Sequence, residues 1–224
     1  MIMFPICTLT PNSVSFIPTF RNTSGSVSLS GASQTIASSA GIWQAKLIEV
    51  SLRNAAHVIL WETIEIRLQG RLNPILIPLM EGSRQPFPLA QSGSSGSIPF
   101  SDGAYFSDGS GFYGSVIIAS LASAISRGAT TGAITVSYGR QLRPRDYFSI
   151  GDRLYRIDDV TEIAGSTYTV KFWPPAREAA ASGAYVEFDQ PRCKMRLKQD
   201  DGMAVDKSFS KFASPTVEFV EDLS

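Results

Sequence analysis

The chain has 224 residues, 43% of them apolar, so it is long enough to bury a sizeable core and too apolar to be disordered. Lys and Arg number 20, as do Asp and Glu, for a formal net charge of zero. Nucleic-acid binding through phosphates calls for a basic excess or a dense cationic run, so no direct nucleic-acid binding is expected.

The start, Met1 to Cys7, is apolar but short, with no basic segment and no small-residue cleavage site, which does not fit a secretory signal. No 18-residue apolar run follows anywhere, so no helical membrane insertion is expected. Short alternating runs then recur among frequent Gly, Ser and Thr, the texture of a β protein. Ser26–Ser30 and Trp43–Val50 read as strands, with turns expected around Gly31 and Ala40-Gly41. Asn54 fits an N-cap and Gly70 a C-terminal stop for a helix over about 54–69. Leu60, Trp61, Ile64 and Leu68 would share its inner stripe, with Glu62 and Glu65 outward. The alternation in Thr63–Gln69 also suits a strand; length and caps favour the helix.

Residues 81–114 are irregular and rich in Gly, Ser and Pro, with a tandem repeat, Phe100-Ser101-Asp102-Gly103 and Phe106-Ser107-Asp108-Gly109. Long loops in compact domains are usually functional or linkers. The aromatic content argues against a linker and makes Phe100, Phe106, Phe112 and Tyr113 candidate protein-interaction residues. Covering the domain's own core and stacking on a glycan are the open alternatives. Further strands are expected at 133–138, 153–157, 167–172, 184–188 and 216–220, and a short helical turn at Ala176–Ala181 after Pro174-Pro175. The fold class is therefore mainly β, a sandwich or barrel-like domain with one principal helix. Residues 1–80 hold strands plus the helix, 81–114 the extended loop, and 115–224 a β-rich remainder forming one compact unit with 1–80.

Catalytic chemistry finds little to work with. His57 is the single histidine, among apolar residues near the helix start, where a packed or cap-region role is the simpler reading. There is no nucleophile elbow, paired-His motif or phosphate-binding Gly-Lys-Ser/Thr loop. Asp158-Asp159 and Asp200-Asp201-Gly202 read as turns rather than glycosidase carboxylates, and the Ser-Asp-Gly units fall short of a calcium loop. Arg140, Arg143 and Arg145, followed by Asp146 and Asp152, read as a mixed solvated face. Cys7 and Cys193 lack metal-type spacing, and whether they pair stays open. No enzyme activity, catalytic residue, metal or cofactor is expected.

Three stretches carry a resemblance: Ser28–Thr35 with Gly41-Ile42-Trp43-Gln44-Ala45; Trp61 with Leu68-Gln69-Gly70-Arg71-Leu72-Asn73-Pro74 and Ile77-Pro78; and Leu142–Ile157 with Phe172-Trp173-Pro174-Pro175-Ala176-Arg177-Glu178 and Cys193-Lys194-Met195-Arg196-Leu197. They resemble the distal tail (tail-tip) structural proteins of siphophages and related proteobacterial prophages. That family usually carries Leu where Ala176 stands and often Gly where Arg145 stands. The resemblance implies a virion protein, made in the bacterial host cytoplasm. It would form a homo-oligomeric ring at the distal tail tip, joining tail tube to hub, fibre or other adsorption parts, with no catalytic residue. Zero net charge suits dense packing of identical copies. The alternatives are another virion connector protein, or a carbohydrate-binding receptor-recognition module using the aromatic loop.

Overall fold

The computed structural model of the protein describes residues 1–25, 29–31, 33, 35–79, 97–98, 104–108, 112–113, 117–139, 141–205 and 213–224. In chain order its elements are β1 (Ile2–Met3), β2 (Pro11–Ser24), β3 (Thr35–Val50), α1 (Ala55–Leu68), β4 (Ile75–Pro78), β5 (Ser97–Ile98), β6 (Phe112–Tyr113), β7 (Ile118–Leu121), β8 (Thr131–Tyr138), β9 (Tyr147–Ile150), β10 (Arg153–Ala164), β11 (Thr167–Trp173), β12 (Tyr185–Glu187), β13 (Arg192–Leu197) and β14 (Val217–Glu221). The fold is mainly β with one helix, as expected. Contacts divide it into two compact units, Met1–Glu81 with Cys193–Ser224, and Gly82–Arg192. This differs from the three-part reading of the sequence: only the last strands return to the first unit, because they pair with its sheet.

The first unit is built on a six-stranded sheet ordered β1-β4-β13-β14-β3-β2. Alternation sorts its two faces. Trp43, Ala45 and Leu47 of β3, Met195 and Leu197 of β13, and Val217 and Phe219 of β14 are all buried. Gln44, Lys46, Arg196 and Glu218 take the other face. Asn54 caps α1 through Oδ1, which accepts from the His57 N–H at 2.8 Å. The helix buries Trp61, Ile64 and Leu68, and the buried Trp61 Nε1 donates to the Met203 carbonyl at 2.8 Å. Burial of a side chain this size is worth about 3–5 kcal/mol against alanine.

At the other end of α1 the stop is more elaborate than a glycine. Gln69 is already left-handed (φ 49°) and Gly70 continues so (φ +64°). A Cβ on Gly70 would lie 2.9 Å from Asp200 Oδ1. Asp200 accepts from the Arg71 backbone N–H (3.1 Å) and from its Nε (3.0 Å), and Asn73 Nδ2 donates to the Arg67 carbonyl (2.8 Å). The Gly70-Arg71-Leu72-Asn73 stretch is thus a helix terminator locked to the turn after β13.

Three sequence expectations need correction. Of the strand expected at Ser26–Ser30, residues 26–28 lie outside the described residues and Leu29-Ser30 form a turn. No turn occurs at Ala40-Gly41: β3 runs through it, and the irregularity is absorbed where Thr19 pairs with Ile42 but Arg21 with Ser38. Ala176–Ala181 is not helical either. The Ala176 N–H and carbonyl bond Ala129 and Gly128 (both 2.7 Å), and Ala180 bridges Ile125, so these backbone groups are committed across the barrel.

In the second unit, β10-β11-β8-β7-β12-β9 close into a barrel. Phe148 is its hub, with ring centroids of Tyr155, Phe172 and Phe188 at 5.5, 5.8 and 5.6 Å. Ala176 belongs to this core. Arg153, buried, forms an ion pair with Glu178 at 2.7 Å. Trp43 and Trp61 are fully buried and Trp173 half-buried, in line with the apolar patterning.

Two predictions follow from backbone and charge. Arg145 holds a φ of 83°, a conformation that costs a side chain about 1–2 kcal/mol and glycine nothing. Arg145→Gly is expected to stabilise the chain by about 1 kcal/mol in urea unfolding, despite glycine's greater freedom when unfolded. Second, hydrogen bonds from Lys198 and Lys46 hold Glu218 down at about 2. Burial would push Asp222 up, but Ser224, Lys194 and Arg196 outweigh it and hold the carboxyl below its ordinary range. Both carboxylates ionise more readily folded than unfolded. Their stabilisation is therefore complete above the ordinary carboxylate range and drains away as pH falls through their lowered folded values, for Glu218 about 2. Glu218→Gln should flatten the stability curve between pH 4.5 and about 2 in urea titrations.

Candidate functional site

The chemistry-bearing residues of the first unit meet in a cavity of about 700 Å³ lined by Cys7, Asn12, Glu49, Ser51, Arg53 and His57, among others. The His57 Nδ1 sits 3.2 Å from the Ser51 carbonyl and 3.4 Å from the Arg53 N–H. A protonated Nδ1 donates to the first and a bare one accepts from the second; either tautomer ties the ring to its own turn. Glu49, left-handed at φ 53°, accepts from Asn12 Nδ2 at 2.9 Å, and its N–H donates to Thr216 Oγ1 at 3.2 Å. These contacts hold the left-handed backbone near the end of β3. Among the described residues no group of three or more His, Cys, Asp or Glu side chains is placed to hold a metal ion.

The other candidates do not converge. Asp158 pairs with Lys171 (3.4 Å) while Asp159 Oδ1 accepts from the Val160 N–H (2.9 Å), and Asp200 belongs to the helix terminator. Arg140 lies outside the described residues. Arg143 and Arg145 are exposed on a turn whose buried Asp146 accepts from the Arg143 N–H at 2.9 Å, and Asp152 pairs with Arg192 at 3.0 Å. Cys7 is exposed and Cys193 buried, and the two do not form a disulfide.

Of the aromatic-loop candidates, Phe100 lies outside the described residues. Phe112 and Tyr113 form β6, paired with Ile98 and Ser97 of β5; their side chains are likewise outside the description. Phe106 and its neighbour Tyr105 are exposed.

Two surfaces escaped the sequence reading. The first is β2, a 14-residue strand at the edge of its sheet. Its alternation at Ser13–Phe16 was legible, but Pro11 and Pro18 masked it. Pro18 is tolerated because it faces Trp43, whose N–H is turned away to Glu221 Oε2 at 3.0 Å. Ile17 is 57% exposed on this strand. The second surface is the solvent side of α1, where Ile59 and Ile66 are exposed. The alternation of Ile64 with Ile66 that suggested a strand is the trace of a helix apolar on two sides.

Thiol chemistry offers a direct check of this geometry. One thiol per chain, Cys7, is expected to react with Ellman's reagent in the native protein, and Cys193 only on unfolding. Two fast thiols, or none, would contradict the placement of these residues.

No protein-family model matches the chain, and no curated protein matches it.

Proposed function

We propose that the chain is a structural protein of a bacteriophage tail that assembles into a ring at the distal tip, joining the tail tube to the adsorption apparatus. The observation that carries this reading is the outer strand β2, long, open-edged within its sheet, and bearing exposed Ile17. Pro11, Pro18 and the register shift between Thr19 and Arg21 blunt its hydrogen-bonding edge against strand addition, so what the strand offers a neighbouring subunit is the exposed Ile17 side chain. The resemblance of Gly70–Pro74 and Leu142–Ile157 to distal tail proteins supports the same reading, and the helix-ending role of Gly70, Arg71 and Asn73 gives that motif a structural purpose without chemistry.

A second reading, a carbohydrate-binding receptor module, is favoured by the exposed pair Tyr105 and Phe106, since exposed aromatic rings suit sugar faces. Immunogold labelling separates the two. Antibody against the purified chain is expected to decorate the tail tip of particles induced from a host carrying its gene. Particles that stay unlabelled at the tip overturn the tail reading. Binding of host polysaccharide that is lost in Phe106→Ala would favour the second.

A further inference from the structure

Strand pairing sets residues of four barrel strands into two neighbouring cross-strand rows. In the first, Thr167 of β11 faces Thr135 of β8, Thr135 faces Ser120 of β7, and Ser120 faces Tyr185 of β12. In the second, Tyr138 of β8 faces Ile118 of β7, which faces Glu187 of β12. Paired residues share a face and their chain neighbours take the other. Ala119, Val136 and Val186 belong to the barrel core, so both rows look outward. Tyr138, Tyr185 and Ile118 are 50%, 47% and 39% exposed.

Strand spacing and rise put the two tyrosines about 12 Å apart on a diagonal, with Ile118 and Ser120 between them. An aromatic ring face is negative, which suits the polarised C–H face of a sugar. The first row bears a hydroxyl at each position, and a hydroxyl both donates and accepts. Thr135 and Thr167 hydrogen-bond each other at 2.9 Å, which uses one O–H and leaves the other, with lone pairs, for a ligand. Glu187 is the single charged residue in the two rows, and its Oε1 accepts from the Asp189 and Gln190 N–H groups at 2.8 and 3.1 Å. With no cation in either row, a polymer bearing phosphate or carboxylate gains nothing here. An apolar protein surface laid over the patch would bury the hydroxyl row without partners. A neutral polyol satisfies both the rings and the row.

We propose that this outer face of the barrel binds a neutral oligosaccharide strand, held between Tyr138 and Tyr185 and hydrogen-bonded by the hydroxyl row. The site differs from the exposed pair Tyr105 and Phe106 and does not depend on the chain being a tail protein.

The test reads the full chain and its variants on an array of neutral and acidic glycans. Wild type is expected to bind neutral glycans equally at low and high salt, because no ion pair is involved. Tyr138→Ala and Tyr185→Ala, both at exposed positions, should each keep the unfolding midpoint and lose about tenfold in affinity, while Tyr138→Phe, which keeps its ring, retains most of it. A wild-type chain that binds no neutral glycan, or only acidic ones, overturns the proposal, as does binding that survives both alanine variants. Binding lost in Phe106→Ala but kept in Tyr138→Ala overturns this site and leaves the loop as the sugar reader. Tyrosine variants that lose self-assembly, with no glycan bound by wild type, would make the face a protein contact and overturn the proposal too.

Discussion

The first unit depends on strands that arrive last. Its sheet order, β1-β4-β13-β14-β3-β2, places the late strands β13 and β14 in the middle. Remove them and two separate ribbons remain, β1-β4 and β3-β2, and a two-stranded ribbon is marginal in water. Pairing of Val217 with Leu47 and of Met195 with Glu221 therefore turns two weak pieces into one core. The same returning segment carries Asp200, which locks the end of α1, and Met203, which receives the Trp61 N–H. Closing the long excursion through residues 82–192 costs entropy that grows only slowly with its length, which is why a whole barrel can sit inside the sheet's connectivity.

The charged side of that sheet is an ordered ladder rather than a solvated scatter. Lys46, Glu218 and Lys198 run across three strands, and Lys194 and Arg196 converge on Asp222. Exposed ion pairs contribute little individually, but two cations per carboxylate leave this face with a definite sign. That sign matters more for what the face meets than for what it holds together.

Much of the fold was legible because local and global demands agree there. Asn54 and Gly70 bracket α1 as their chemistry requires, and the runs at 133–138, 153–157 and 167–172 form strands of the barrel. Failures occurred where tertiary bonds replaced local preference. The alanines of 176–181 favour a helix, yet their backbone is claimed by Ala129, Gly128 and Ile125. Gly41 reads as a turn but sits at a shift in strand register. The candidate surfaces were hidden for another reason: the inner stripe of α1 could be read from its period, which leaves Ile59 and Ile66 off it, but only the structure shows that these two isoleucines stay exposed.

The central place of β14 also sets an order of events during synthesis. While the ribosome is still making residues 213–224, Trp43, Leu47 and Ile75 have no completed sheet to hide in, and Lys46 has no Glu218 beside it. The face that carries Ile17 and Lys46 thus matures only when β14 slides between its neighbours. A subunit in which β14 has not yet paired presents an unfinished surface, so one strand pairing decides whether that face exists.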